Sequence, residues 1–464
     1  MILRILNKYI PVHKLIFFFL ETIFFLGMVI LGAYLRFLGD VSIFMTYEGL
    51  FLKAFLIVAT VQLSLYYFDL YDLRIKRSNL ELVFRLLQSL GISSIVLAVL
   101  YYMFPPLIIG RGIFLISLYF MSAVIILWRM IYNHILKTNQ LDQKIMIIGT
   151  GPMAINIARE ILGKDDTGFK IIGFITDNPK RIGEKLVNPS IVGDQSQIVD
   201  IATREKVARI IVALDERRGG FPEVQLLDCK MKGIAIEEDT EFYEHLTGKL
   251  KVESLRPSSL IFSDGFRKPK LTMWMKRFIG FNLSLIGLIL LSPLILIISI
   301  LIKIDSRGPV FYRQERAGER GKIFKLLKFR SMVENAETNG PVWAEQDDNR
   351  VTRIGRWMRK WRFDEIPQML NVLKGDMSFV GPRPERSFFV EQLRKEIPFY
   401  DQRFYVKPGI TGWAQIKYRY GASKDDALEK LKYDLYYIKN LSSLFDMIIM
   451  FETIKVVLFG KGAR

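Results

Sequence analysis

The chain holds one cysteine, Cys229, and three histidines, His13, His134 and His245. A lone cysteine excludes an intrachain disulfide and fits a reducing compartment. So few scattered His and Cys give no basis for a zinc site. Internal repeats, low-complexity tracts and DNA-reading motifs are missing as well. Apolar residues are what the chain has in excess. Half of its 464 residues are hydrophobic and 13% are aromatic, which is high for a soluble protein and fits partial residence in lipid. The formal charge of +18 asks for an anionic partner, whether nucleic acid, anionic lipid or a phosphorylated substrate. The length allows two or three domains.

Four apolar stretches fill the first third, at 15–37, 50–70, 83–104 and 112–133. Each approaches the ~20 residues that cross a bilayer as a helix. The first is too long for the apolar core of a signal peptide and no small-residue cleavage site follows, so it reads as a retained span. Segment 38–48 has no Lys or Arg and 105–111 has only Arg111. Arg4, Lys8 and Lys14 precede the first span, Arg74, Lys76 and Arg77 follow the second, and Lys137 and Lys144 follow the fourth. The positive-inside rule then puts both ends of this block in the cytoplasm. Glu21, Lys53, Gln62 and Arg85 lie in or near the spans. They read as residues that snorkel or face neighbouring helices rather than as a transport path.

Residues 141–250 predict a parallel α/β domain of the Rossmann-like kind. Apolar strands at 145–148, 171–175, 208–214 and 233–236 alternate with helical patterns. After the first strand comes Gly149-x-Gly151-x-x-Ala154, the weak form of a dinucleotide-binding turn, where glycines let backbone approach a pyrophosphate. An acidic residue should end the second strand. The nearest, Asp177, lies just past it, which argues against bound NAD and leaves a regulatory or dimer-forming role. Residues 251–270 read as a linker.

A fifth apolar run spans 278–302, with Ser292-Pro293 near its middle. Proline removes a backbone hydrogen bond and kinks a helix, and a serine hydroxyl can satisfy a freed group. Two readings fit: a kinked spanning helix, or a helix broken at mid-depth that enters and leaves by one face. A full crossing would place residues 303–464, with 31 Lys and Arg against 21 Asp and Glu, on the far side. In 350–362, Ile354, Trp357, Met358 and Trp361 recur at helical spacing, and Arg353, Arg356, Arg359, Lys360 and Arg362 cover the other faces. This suits a helix in the headgroup plane or a basic helix packed on a soluble core. Segment 441–459, interrupted by Asp446 and Glu452, suggests a surface-lying helix.

Chemistry concentrates after residue 325. Lys328-Phe-Arg330-Ser-Met offers two cations near a turn. Phe363-Asp364-Glu365-Ile-Pro-Gln sets two carboxylates side by side. Gly381-Pro-Arg383-Pro384 is a stiff loop fixing one arginine, and Pro408-Gly-Ile-Thr-Gly412 is a second rigid loop. Arginine forks suit phosphate oxygens, a carboxylate can be a covalent nucleophile, and Mg²⁺ binds through few carboxylates plus substrate phosphates. The set therefore suggests phosphoryl transfer at a membrane surface. Taken alone, the Asp364-Glu365 pair fits an ordinary dipeptide, salt-bridged to the nearby arginines, better than a catalytic one.

These motifs, in this order, resemble the bacterial sugar transferases that load a phosphosugar onto polyprenyl phosphate, the monotopic phosphoglycosyl transferases. The matching text also includes Ser292-Pro293 and Gly308-Pro-Val-Phe-Tyr-Arg-Gln314. The first 270 residues resemble, more loosely, the large subclass that initiates exopolysaccharide or O-antigen synthesis. The resemblance implies a membrane α plus α/β protein: a four-helix transmembrane block at 1–140, the Rossmann-like domain, and an α-rich monotopic catalytic domain at 271–464 with a re-entrant helix at 278–302. It implies that Asp364 attacks the β-phosphate of a UDP-sugar, UDP-glucose or UDP-galactose by analogy, and expels UMP. Undecaprenyl phosphate then takes the phosphosugar, and Glu365 helps Asp364 hold Mg²⁺. Lys328, Arg330, Arg383 and Arg403 would contact phosphates or uridine, with Asp434 in a family-like stretch. The implied setting is the bacterial inner membrane, multi-pass, with the catalytic domain on the cytoplasmic face, a lipid bilayer as partner, a homodimer left open, and no nucleic acid. The rival classes are a transporter or channel regulated by its α/β domain and a membrane-tethered nucleic-acid binder.

Overall fold

The computed structural model describes residues 2–5, 8–71, 79–137, 142–163, 167–214, 221–255, 257–263, 265–333, 349–418, 421 and 423–458. It divides into two compact units, essentially Tyr9–Phe242 and Tyr243–Arg464. The basic loop at Arg74, Lys76 and Arg77 lies outside the described residues.

The first unit opens with α1 (Val12–Arg36), α2 (Leu50–Tyr67), α3 (Asn79–Met103) and α4 (Arg111–Lys137). All four are long and apolar enough to cross a membrane. Many of their large apolar side chains face outward, such as Phe19, Phe51, Phe84 and Leu115, while Phe25, Ile57, Leu97 and Met121 pack inside. That distribution suits lipid as the surrounding solvent, where outward apolar groups carry no penalty. The polar residues singled out in the sequence are partnered. Gln62 Nε2 donates to Thr22 Oγ1 at 2.9 Å, and the buried Glu21 accepts from Tyr71 and lies 3.8 Å from Arg129. Arg85 pairs with Glu81 at 3.0 Å, and the Lys53 ammonium sits over the Tyr47 ring.

The α/β part follows as β1 (Gln143–Ile148), α5 (Pro152–Leu162), β2 (Phe169–Thr176), β3 (Ile191–Asp194), α6 (Ile198–Arg204), β4 (Arg209–Val212), α7 (Glu223–Met231) and β5 (Ala235–Glu238). The strands form one parallel sheet in the order β3-β2-β1-β4-β5. The sequence reading misses β3: four residues with Gly193 inside carry too short a pattern to stand out. Gly149 ends β1 at φ +116°, and a Cβ there would lie 2.1 Å from the Ala213 carbonyl oxygen. Its glycine is therefore required by strand packing, without any ligand. Asp177 directly follows β2, as the sequence indicates.

In the second unit, described parts of the stretch expected to be a linker form regular structure. It contains a 3-10 turn at Val252–Ser254 and a short helix at Pro257–Phe262, and Val252 is buried in the unit's core. Then come α8 (Lys270–Leu290) and α9 (Ser292–Asp305), separated at Leu291. Ser292 Oγ donates to the Ile289 carbonyl at 2.8 Å, capping the broken turn before Pro293. Both helices return to the same folded body. Lys276 of α8 is buried there, and Ile298 and Ile302 of α9 pack with Phe329, Met358 and Ile366. The body continues with the hairpin β6 (Phe311–Ala317) and β7 (Ile323–Phe329), α10 (Arg353–Lys360), α11 (Gln368–Lys374), the parallel pair β8 (Ser378–Val380) and β9 (Gly409–Thr411), α12 (Lys424–Lys439) and α13 (Ser443–Leu458).

Two expectations about surface helices are refined. Helix α10 buries Met358 while Trp357 and Trp361 stay partly exposed, so it packs on the body through one face and keeps aromatic surface on another. Asp446 of α13 is buried in an ion pair with Lys276, 2.8 Å away, so it does not mark a solvent-facing stripe.

Candidate functional site

The α10 helix starts at Thr352, whose hydroxyl accepts from Gly355 N at 2.9 Å, the preferred N-cap arrangement. Asp305 at the end of α9 also caps it, Oδ2 accepting from Ile354 N at 3.1 Å. Gly355 lets α10 approach β7's end, since a Cβ would lie 2.0 Å from the Ser331 oxygen. After α10 the chain reverses at Arg362, held in the left-handed region at φ 56°, and a 3-10 turn carries Phe363–Glu365. Both Asp364 and Glu365 are buried. Asn371 of α11 locks this turn's neighbour to the hairpin: its Oδ1 accepts from Leu327 N at 3.0 Å and its Nδ2 donates to the Lys325 oxygen at 2.8 Å. That clamp fixes Lys328 beside the two carboxylates.

The opposite wall is the loop after β8. Gly381 N donates to the Thr411 oxygen at 2.8 Å and Gly409 N to the Pro382 oxygen at 2.9 Å. The two loops touch backbone to backbone: a Cβ on Gly381 would lie 2.4 Å from the Lys407 oxygen, and one on Gly412 2.1 Å from the Gly381 oxygen. This contact sets Arg383, which donates to Glu365 Oε1 at 2.8 Å, while Lys328 Nζ lies 3.5 Å from the same oxygen. Asp364, by contrast, makes no hydrogen bond among the described residues.

The electrostatics split the pair. Burial pushes the Asp364 carboxyl above the ordinary carboxylate range; Lys328, Arg359 and Arg383 oppose this without cancelling it, and the Glu365 charge adds to it. Burial acts on Glu365 too, but Arg383, Lys328 and Arg362 together outweigh it and hold Glu365 well below that range. Burial in turn lowers the Lys328 ammonium against the pull of Glu365. The site thus sets Glu365, held ionised by its cations, beside Asp364, whose buried carboxyl is raised and makes no hydrogen bond among the described residues.

Not every sequence candidate faces this pair. Arg330 is buried and donates to the carbonyls of Arg307 at 2.6 Å and Ser306 at 2.8 Å, tying the end of α9 to β7. Arg403 and Asp434 pair with each other at 3.0 Å, and Arg403 also donates to the Tyr400 hydroxyl at 2.5 Å and the Arg383 carbonyl at 3.0 Å. They sit behind Arg383. Burial pushes the Asp434 carboxyl up to about 6 despite Arg403. Ser292 and Pro293 lie at the helix break, and Gly149, Gly151 and Ala154 belong to the other unit. Sequence reasoning did not single out Arg316, Asn371 and Lys276 as site residues, and it named Arg359 and Arg362 as part of the basic helix before the pair without giving them a site role. Only the last two carried a signal, being within a few residues of Asp364.

No group of three His, Cys, Asp or Glu side chains that could cage a metal occurs among the described residues. The donor set fits Mg²⁺ only in its usual mode, through one or two carboxylates plus substrate phosphate oxygens.

The buried Asp364 carboxyl, amid cations, stands on a body into which an apolar broken helix is packed. Comparison with known proteins identifies the family. Residues 271–460 match the bacterial sugar transferase family, and residues 66–219 match a family described as a CoA-binding domain. An undecaprenyl-phosphate glucose phosphotransferase of Komagataeibacter xylinus is 30% identical over 393 residues, covering 78% of this chain and 72% of that protein. A UDP-N-acetylgalactosamine-undecaprenyl-phosphate N-acetylgalactosaminephosphotransferase of Aeromonas hydrophila is 43% identical over 251 residues, covering 54% of this chain and 58% of that one. A UDP-glucose:undecaprenyl-phosphate glucose-1-phosphate transferase of Escherichia coli (strain K12) is 35% identical over 303 residues, covering 64% and 63%. The chain therefore spans under two thirds of the length of two of these three relatives. It belongs to the bacterial sugar transferase family.

Proposed function

We propose that the protein transfers a sugar-1-phosphate from a UDP-sugar to undecaprenyl phosphate in two displacements at Asp364, initiating exopolysaccharide or O-antigen synthesis. The observation that carries this reading is the split pair: Asp364 buried and unbonded, Glu365 ionised and held 2.8 Å from Arg383. In the first step an Asp364 carboxylate oxygen bonds to the β-phosphorus, the bond from that phosphorus to the bridging oxygen breaks, and UMP leaves with the electron pair. In the second, a phosphate oxygen of undecaprenyl phosphate bonds to the same phosphorus and Asp364 departs as the carboxylate. Lys328 and Arg383, close to the carboxylate pair, would neutralise diphosphate oxygens, and such fixed charges need no reorganisation during reaction. Arg403, Asp434 and Arg330 support the walls of the site. Mg²⁺, held by Asp364 and Glu365 with diphosphate oxygens, would add neutralising charge.

The relatives divide between glucose and N-acetylgalactosamine, so the donor is a UDP-hexose or UDP-N-acetylhexosamine; the glucose or galactose donor expected from the sequence is one case. The charge asymmetry of the flanking loops supports a multi-pass protein of the bacterial inner membrane with the catalytic unit at the cytoplasmic face. The return of α8 and α9 to one body supports a re-entrant helix. The transporter alternative gains nothing from the spans, where Glu21, Gln62 and Arg85 each face a partner.

UMP release from purified protein with Mg²⁺, undecaprenyl phosphate and a panel of UDP-glucose, UDP-galactose and UDP-N-acetylgalactosamine tests the reading. Release from at least one is expected; none from any of them would sink it.

A further inference from the structure

The loop that carries Arg383 is held by its main-chain oxygens. The carbonyls of Val380, Arg383 and Pro384 accept from Lys276 at 2.7 Å, Arg403 at 3.0 Å and Arg316 at 3.0 Å. Arg403 and Arg316 belong to the catalytic body. Lys276 comes from α8, the apolar helix long enough to enter the bilayer.

Its surroundings are complete. Lys276 Nζ also donates to the Tyr437 hydroxyl at 2.5 Å and to Asp446 Oδ2 at 2.8 Å, and the Tyr437 hydroxyl donates to Asp446 Oδ1 at 2.6 Å. An ammonium has three protons, and here each has an acceptor. If the role were only to anchor α8 to α12 and α13, an apolar side chain would do it without the desolvation cost of a buried ion pair. Two of the three protons go to a closed pair, Tyr437 and Asp446, which fixes where the nitrogen sits. The third goes to Val380, the last residue of β8, whose register partner Thr411 also accepts from Gly381. Val380 is therefore held from two sides just before the chain turns to present Arg383.

We propose that Lys276 is a positioning residue for the transfer reaction. From the membrane helix it fixes the end of β8, so that the Arg383 fork meets Glu365 and the incoming diphosphate. Tyr437 and Asp446 serve to hold Lys276. This inference rests on the transferase reading given above.

The test is a mutant cycle on the full chain in lipid nanodiscs, using whichever of the three UDP-sugars gives the most UMP. Lys276→Met and Tyr437→Phe are each combined with Arg383 and with Arg383→Lys, and kcat, KM for the UDP-sugar and thermal midpoint are measured. A merely structural lysine would lower the midpoint and the active fraction, leaving KM unchanged. A lysine acting through Arg383 raises KM and lowers kcat/KM about tenfold or more beside Arg383, and less than about twofold beside Arg383→Lys. Equal losses in both backgrounds overturn the proposal. If Lys276→Met does not fold, Tyr437→Phe carries the cycle, and an unchanged KM in that variant is the overturning result. A wild-type protein that releases no UMP refutes the transferase reading itself, and the positioning role falls with it.

Discussion

Arg383 and Glu365 meet at 2.8 Å, while Asp364, one residue away, makes no hydrogen bond among the described residues. Two adjacent carboxylates in one cationic site thus have different surroundings: the cation-bound one is held ionised, and the unbonded one is raised by burial. In the proposed mechanism the first fixes the geometry and the second is the nucleophile. Three expectations follow from this arrangement, and a fourth from the α8–α9 pair.

Asp364→Asn keeps the shape of the turn but removes the attacking oxygen's charge. UMP release and the phosphosugar-enzyme adduct should both disappear. The check is intact-protein mass spectrometry after a short incubation with UDP-sugar and no lipid acceptor. An adduct that persists in the variant means the nucleophile lies elsewhere.

Arg383→Met leaves Glu365 with Lys328 and Arg362 but without its closest donor. Hydrogen bonds to charged groups are worth about 1.5–3 kcal/mol, so kcat/KM should fall about ten- to a hundredfold. Arg383→Lys should fall short of full activity, because an ammonium cannot reproduce the planar fork. Steady-state UMP assays distinguish the three. Equal activity in Arg383 and Arg383→Lys would show that the fork geometry is irrelevant.

The pH profile of adduct formation should have an acid limb above the ordinary aspartate range, because burial raises Asp364 and its reactive form is the ionised one. Lys328 lowers that carboxyl, so Lys328→Met should move the limb further toward neutral pH. Single-turnover rates across pH measure it. A limb that moves to lower pH in Lys328→Met contradicts the assigned electrostatics.

Arg267 and Arg307 are exposed and flank the α8–α9 pair. If the helix is re-entrant, cysteines placed at the two positions in a Cys229→Ala background should be labelled from one face of sealed vesicles by an impermeant maleimide. Labelling from opposite faces would establish a spanning helix and displace the catalytic unit from the cytoplasmic side.

Local signals were enough for much of this protein. Periodicity and span length located α1 to α4, because lipid and short loops leave helices few alternatives. The strand–glycine–helix text at Ile145–Ala154 announced a parallel sheet, and Ser292-Pro293 marked the break between α8 and α9. The crowded motifs from Lys328 to Gly412 marked the segments that the fold brings together around Glu365, since rigid Pro-Gly loops and adjacent charges are readable without knowing their partners. The short strand Ile191–Asp194 escaped, having too few residues to show a period.

Only the tertiary structure could assign partners. Arg330, Arg383 and Arg403 look alike as text, yet Arg383 reaches Glu365, Arg330 binds the carbonyls after α9, and Arg403 pairs with Asp434 behind the loop. Asp446 read as a break in an apolar helix and turned out to face Lys276, 170 positions earlier in the chain. Composition records that charges are present. Which charge neutralises which depends on contacts between distant segments, and a carboxylate's readiness to react follows from burial and neighbours that only the folded chain brings together.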